Sequence, residues 1–148
     1  MNTPSDIERA ERISRRRARM FPILGIYFIA GQALFFNHAE ASPRIAQFKI
    51  SAWLVWALVL LIAFAFAGGH FQGKKIRALV EDDVSRANRA KGYEAGFWAA
   101  AAAAIALYIT NMFELVTGRD AIHLILTALV GAAMIRFGTL ERRALKDG

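Results

Sequence analysis

The stretch Ile50–Gly73, ISAWLVWALVLLIAFAFAGGHFQG, runs 24 residues without an Asp, Glu, Lys or Arg. A hydrocarbon core about 30 Å thick takes about 20 residues of helix to cross, so this segment is long enough to span a bilayer. Three further uncharged runs accompany it: Met20–Asn37, Ala95–Phe113 and Ala121–Ile135, of 18, 19 and 15 residues. The first two suffice or nearly so. The last reaches across with Arg136 carried inside the helix and its guanidinium snorkelling to the boundary, so that Phe137, Gly138 and Leu140 extend the run. The spacing therefore predicts transmembrane helices over 20–38, 49–71, 95–115 and 120–140. The fold expected is all-α, an integral membrane four-helix bundle in one domain, 1–148.

Composition agrees with that reading. Of 148 residues 56% are apolar and only 21% charged, and the mean hydropathy is +0.33. That is more apolar surface than one small core buries. The chain has no cysteine, which excludes a disulfide scaffold, a haem-thiolate or iron–sulfur protein and any cysteine-ligated zinc. The first apolar run follows a basic stretch, as a secretory signal does. It lacks a small-x-small cleavage site followed by a polar mature domain, so it is read as a retained helix.

Orientation follows from the cations, because Lys and Arg resist translocation. Arg9, Arg12, Arg15, Arg16, Arg17 and Arg19 precede the first span. Lys74, Lys75, Arg77, Arg86, Arg89 and Lys91 lie between the second and third, and Arg136, Arg142, Arg143 and Lys146 near the end. The remaining two loops hold only Arg44, Lys49 and Arg119. This asymmetry predicts both termini on the cytoplasmic side and argues against dual topology. It also accounts for the +7 formal charge without nucleic acid, since a basic face meets anionic headgroups, each nearby cation adding about 1 kcal/mol.

The segments outside the spans carry their own patterns. Ser5 with Glu8 forms a capping box ahead of IERAERISRRRARM, which predicts an N-terminal helix over 1–19. Its apolar stripe of Ile7, Ala10 and Ile13 is narrow, so the helix lies on the membrane surface or continues from the first span, with Pro22 able to bend it. Ser42-Pro43 reads as a helix start, and Trp53, Trp56 and Trp98 as interfacial anchors. Gly118, in the short turn 115–120, is placed to end the third helix and to make the third and fourth antiparallel neighbours.

Between the second and third spans, KKIRALVEDDVSRANRAKGYE sets Ile76, Leu79, Val80, Val84, Ala87 and Ala90 at helical spacing, with Arg77–Glu81 and Asp82–Arg86 as i, i+4 pairs. This predicts an amphipathic cytoplasmic helix over about 74–90, stopped near Gly92. Its apolar face covers the membrane surface or the N-terminal helix. Its charged face, Glu81, Asp82, Asp83, Arg86 and Arg89, is the candidate surface for a cytoplasmic protein partner.

Within the spans, small residues mark where backbones approach. Gly96, Ala100 and Ala104 form such a row on the third helix and Thr127 with Gly131 on the fourth. They serve packing inside the bundle, or homo-oligomerisation through a surplus small-residue face. Intramembrane polar groups are the natural place to seek chemistry, and Gln32, Asn111 and Thr127 are the candidates. No Asp, Glu or Lys sits at mid-depth, which weakens proton-coupled transport. At the outer face His38, Glu40, Glu114, Asp120 and His123 gather at one depth, and imidazole with carboxylate is a donor set that zinc or iron accepts. Their spacing matches no metal motif, so neither a metal nor a cofactor is assigned. His70 lies at the opposite end, and Arg136 is positioned to pair with Glu94. No phosphate-binding loop, nucleophile elbow or paired catalytic carboxylates occur, so no enzyme activity is expected.

The stretch RALVEDDVSRANRAKGYEAGFWAAAAAAIALYI, followed by AIHLILT and RFGTLERRAL, resembles a group of small four-span inner-membrane proteins of alphaproteobacterial type, often encoded beside small helix-turn-helix regulators. The resemblance covers roughly the second half of the chain and implies a membrane partner or sensor of a cytoplasmic transcription factor. It assigns no residue a role. Two functional classes follow from the sequence: a regulatory or interaction protein working through its inner surface, and a small oligomeric transport or channel-type protein in which Gln32, Asn111 and Thr127 line a path. An accessory subunit of a larger membrane complex is a variant of the first.

Overall fold

The computed structural model describes residues 4–36, 43–66, 80 and 83–147. They form four helices: α1 Pro4–Phe36, α2 Pro43–Phe66, α3 Asp83–Thr110 and α4 Gly118–Asp147. α1 joins the predicted basic helix and the first span in one element of 33 residues, with Pro22 inside it. At about 1.5 Å per residue it is about 50 Å long, well beyond the thickness of a hydrocarbon core. The proline ring lies directly against Gly138 of α4, where no Cβ could fit, and the Ala18 carbonyl that the proline leaves without its amide partner accepts from Arg142 Nε at 2.9 Å.

α4 is the central helix. It packs lengthwise against α1 on one side and α3 on the other, while α2 touches it at fewer places. The core consists of Phe21 and Phe28 from α1, Ala57, Leu60 and Phe64 from α2, and Val130, Ala133, Met134 and Phe137 from α4. Phe21, Phe64 and Phe137 meet edge to face with centroids 5.3–6.1 Å apart, the arrangement that the ring quadrupole favours. α3 contributes close backbone approach in place of bulk. A Cβ on Gly96 would stand 2.8 Å from the Leu129 carbonyl oxygen, and one on Gly131 would stand 2.5 Å from Ile29. Both glycines thus serve packing within the chain. Ala100 and Ala104 are half-buried, while Ala99, Ala103 and Ala106 line an apolar groove beside α4.

Two predicted boundaries differ. Gly92 lies inside α3 and does not stop a preceding helix: a Cβ there would meet Phe64 at 3.0 Å and the Ala133 carbonyl at 3.1 Å. Its lack of a side chain serves contact across helices. The described part of the inner segment, Asp83–Ala90, is therefore the start of α3, and residues 67–79, 81 and 82 lie outside the described residues. Gly118 opens α4 and does not close α3, which ends at Thr110. Thr117 caps α4, its hydroxyl accepting from the Asp120 N–H at 3.2 Å and donating to the Asp120 carboxylate at 2.7 Å.

Among the described residues, three helical segments are long and apolar enough to cross a membrane: Phe48–Phe66, Asp83–Thr110 and Gly118–Lys146. Their apolar windows are only 17%, 11% and 44% buried within the chain. Ile23, Ile26, Leu54, Val55, Leu58, Val59, Ile62, Ile105 and Ile109 all point outward. A water-soluble monomer does not carry apolar surface on this scale, and a bilayer would solvate it.

Candidate functional site

The buried polar side chains of α4 fall at its two ends. His123 and Glu141 are 18 residues apart, about 27 Å along the helix, close to the thickness of a hydrocarbon core.

At the Glu141 end, helices α1, α3 and α4 converge on one network. The Arg17 Nη2 group donates to Glu141 Oε2 in an ion pair whose side chains are only 4% and 6% exposed. The same nitrogen donates to Ser85 Oγ at 2.6 Å, and Asn88 Nδ2 donates to Glu141 Oε1 at 3.0 Å. The guanidinium also lies 5.3 Å from the centroid of the Phe137 ring, within cation–π range. Each carboxylate oxygen therefore has a donor, the condition under which a buried ion pair is tolerated. Ala10 and Ile13 of α1 cover Val80, so the narrow stripe of the basic helix packs within the chain at that point. Arg89 Nη1 reaches the Ala65 carbonyl of α2 at 3.0 Å, and Arg142 Nε reaches the Ala18 carbonyl at 2.9 Å. All four helices are thereby tied at this end.

At the other end, His123 Nε2 and Gln32 Oε1 share a hydrogen bond. The Gln32 amide nitrogen donates to the Phe28 carbonyl at 2.9 Å, which leaves its oxygen as acceptor and makes His123 the donor. Trp53 stacks on the imidazole at 3.8 Å between centroids and on Phe28 at 6.1 Å, so the tryptophan read as an interfacial anchor helps to bury this pair. Thr127 donates to the His123 carbonyl at 2.8 Å.

Gln32 and Thr127 line the same groove of about 520 Å³ beside Ala99, Ala103 and Ala106. Asn111 is not part of it: it lies exposed in the turn after α3 and accepts from the Val116 N–H at 2.9 Å. The three residues do not line one path.

The candidate partner surface is described in part. Asp83 and Arg86 form an exposed i, i+3 pair at 2.6 Å, and Glu81 and Asp82 lie outside the described residues. Glu94 and Arg136 are both exposed and do not pair. In the outer cluster Glu114 is exposed, Asp120 caps its own helix and His123 turns inward, while His38 and Glu40, like His70, lie outside the described residues. Among the described residues no three His, Cys, Asp or Glu side chains come close enough to hold a metal ion.

In the sequence Arg17 is one of six similar arginines, and Glu141, Ser85 and Asn88 belong to no motif. A signal was present. Positions 10, 17, 21, 28 and 32 of α1 recur at 3.5-residue spacing, as do 123, 127, 130, 134, 137 and 141 of α4, and all are buried. A charge standing on such a stripe must find its counter-charge on the facing helix.

Fold and site together define a small all-helical protein of long apolar helices, polar-locked at both ends of its central helix. No protein-family model, curated protein or solved structure matches this chain.

Proposed function

We propose that this protein is a four-span inner-membrane protein, both termini cytoplasmic, that acts by presenting its inner end to a cytoplasmic protein such as a transcription factor. The apolar half of α1, Met20–Phe36, is the fourth span beside the three apolar helices. One observation carries the reading: α1, α3 and α4 are locked to one another by the Arg17–Glu141 network at the cation-rich end. Such an assembly fixes the relative position of Asp83, Arg86 and the basic faces of α1 and α4, as recognition by a partner requires. The transport reading draws less support, because Gln32 is occupied by His123 and Asn111 stands outside the groove.

The native chain has no cysteine, so single-cysteine labelling tests the arrangement on a clean background. Glu8→Cys and Lys146→Cys are expected to be shielded from a membrane-impermeant maleimide in intact cells, and Arg119→Cys labelled. Opposite behaviour of the two termini overturns the topology. Charge reversal at Glu81, Asp82 and Asp83 is expected to abolish co-purification of the partner in mild detergent without changing solute flux. Altered flux with unchanged partners would establish the transport class instead.

A further inference from the structure

Arg142, held by the Ala18 carbonyl, stands at the edge of a recess of about 590 Å³ between α1 and α4, lined by Arg15, Ala18, Arg19, Arg142, Leu145 and Lys146. Four of these six residues are cations and none is acidic. A second recess of about 490 Å³ adjoins it on α1, lined by Arg12, Arg15, Arg16, Arg19 and Met20, so that Arg15 and Arg19 belong to both. Like charges gathered this closely repel unless an anion sits among them. The internal carboxylates do not serve: Glu141 is committed to Arg17 and Asn88, and Glu11 reaches only Arg15, in an exposed pair of little net worth.

Depth narrows the class of anion. Arg19 immediately precedes the uncharged run that begins at Met20, and Arg142 closely follows the apolar stretch of α4 that ends at Leu140, at the same end. On the spanning reading Arg19 and Arg142 therefore stand at the border of the hydrocarbon, at headgroup level. Met20, which lines the smaller recess, is an exposed apolar residue on the hydrocarbon side, where acyl chains would begin. Arg142 is also preorganised. Its Nε and, at 3.4 Å, its Nη2 donate to carbonyls of α1, which fixes the guanidinium plane and leaves three N–H groups to offer.

From this arrangement we infer a specific binding site for an anionic phospholipid headgroup carrying two phosphates, one phosphate in each recess, with Arg15 and Arg19 bridging them. The inference rests on the membrane-spanning reading above. Basic pockets between transmembrane helices on the cytoplasmic side recognise such headgroups by charge density; the larger recess is of this kind, and the smaller extends it along α1 alone.

The test uses the full chain. Flotation with phosphatidylcholine vesicles comes first: if the protein neither floats nor resists carbonate extraction, the spanning reading and this site fall together. For protein that does insert, native mass spectrometry in neutral detergent follows titration with cardiolipin, phosphatidylglycerol or phosphatidylcholine. One cardiolipin is expected to be retained per chain, phosphatidylglycerol more weakly and phosphatidylcholine not at all. The variant Arg19→Gln/Lys146→Gln removes two lining cations that make no side-chain bond within the described residues, and is expected to weaken cardiolipin binding about 30-fold. The charge-matched control Arg9→Gln/Arg119→Gln is expected to bind as the native chain does. Equal loss in both variants, equal retention of phosphatidylglycerol, or displacement by excess inorganic phosphate would each overturn the site while leaving the spanning reading intact.

Discussion

Removing one member of the Arg17–Glu141 pair exposes the logic of the bundle most directly. The two side chains are 4% and 6% exposed, and the carboxylate holds a second donor from Asn88 while the guanidinium holds Ser85 and the Phe137 face. In Arg17→Met, Glu141 keeps the Asn88 amide but loses its counter-charge in a site with almost no water. Breaking a buried pair on one side costs about 3–5 kcal/mol, because the remaining charge is desolvated and uncompensated. Glu141→Leu should cost a similar amount for the same reason. The double variant Arg17→Met/Glu141→Leu removes both charges and both desolvation penalties, replacing them with volume of similar size on a stripe otherwise filled by Phe21, Met134 and Phe137. Its expected cost is within about 3 kcal/mol of the native chain, since the buried Asn88 amide loses its acceptor, giving a coupling energy of about 3 kcal/mol or more in the cycle. The assay is equilibrium unfolding of the full chain by SDS in mixed micelles, followed by far-ultraviolet circular dichroism. Single costs below about 1 kcal/mol, or a double variant additive within about 0.5 kcal/mol, would show that water reaches the pair and refute the reasoning.

Four further single substitutions probe the packing by the same unfolding assay. Gly96→Val drives a Cβ toward the Leu129 carbonyl at 2.8 Å and is expected to destabilise by about 1–3 kcal/mol, whereas Gly31→Ala meets nothing within 4 Å and is expected to stabilise by up to about 1 kcal/mol. Gln32→Leu strips His123 of its acceptor and should cost about 0.5–2 kcal/mol; double substitution with His123→Phe should recover most of that. Thr127→Val loses only a bond to its own helix and should change stability by less than about 0.5 kcal/mol.

The three long apolar helices were legible because apolarity along a run is a local property: a stretch such as Ile50–Phe66 is apolar on every side and needs no knowledge of its neighbours. The N-terminal helical extension was legible as well, through the spacing of Ile7, Ala10 and Ile13, although α1 begins at Pro4, so that Ser5 stands inside the helix and not at its cap. Glycines were harder. In one dimension Gly92, Gly96 and Gly118 look alike, yet one faces Phe64, one faces Leu129 and the third opens a helix. What separates them is a partner 28 or more residues away in the chain. Arg17 was obscured for a different reason. It stands in the run Arg15–Arg17, whose neighbours face solvent, and the fourth-helix glutamate that makes it special lies 124 positions on. Asn111 was misplaced with Gln32 and Thr127 because α3 ends at Thr110, one residue before it, so a side chain counted as intramembrane belongs to a turn.

On the proposed orientation, the unlike polar locks at the two ends of α4 have a common explanation in how such a chain enters the membrane. The His123–Gln32 lock lies at the end that must translocate. Built from an imidazole that donates to a neutral amide, it asks the chain to carry no formal charge pair across the hydrocarbon, and Trp53 supplies apolar cover once it is formed. The Arg17–Glu141 lock lies at the end that stays behind, where two full charges can form in the interface and be buried only as α1, α3 and α4 close on one another. Exchanging the two locks would add a guanidinium and a carboxylate to segments that have to cross and already carry Glu114, Arg119 and Asp120, each at a cost below the roughly 2.5–3.5 kcal/mol that the insertion scale gives at a helix centre. The order of the locks along α4 thus accords with the orientation proposed from the count of Lys and Arg in the loops. If labelling placed Arg119 in the cytoplasm, that orientation and this account of the locks would fall together.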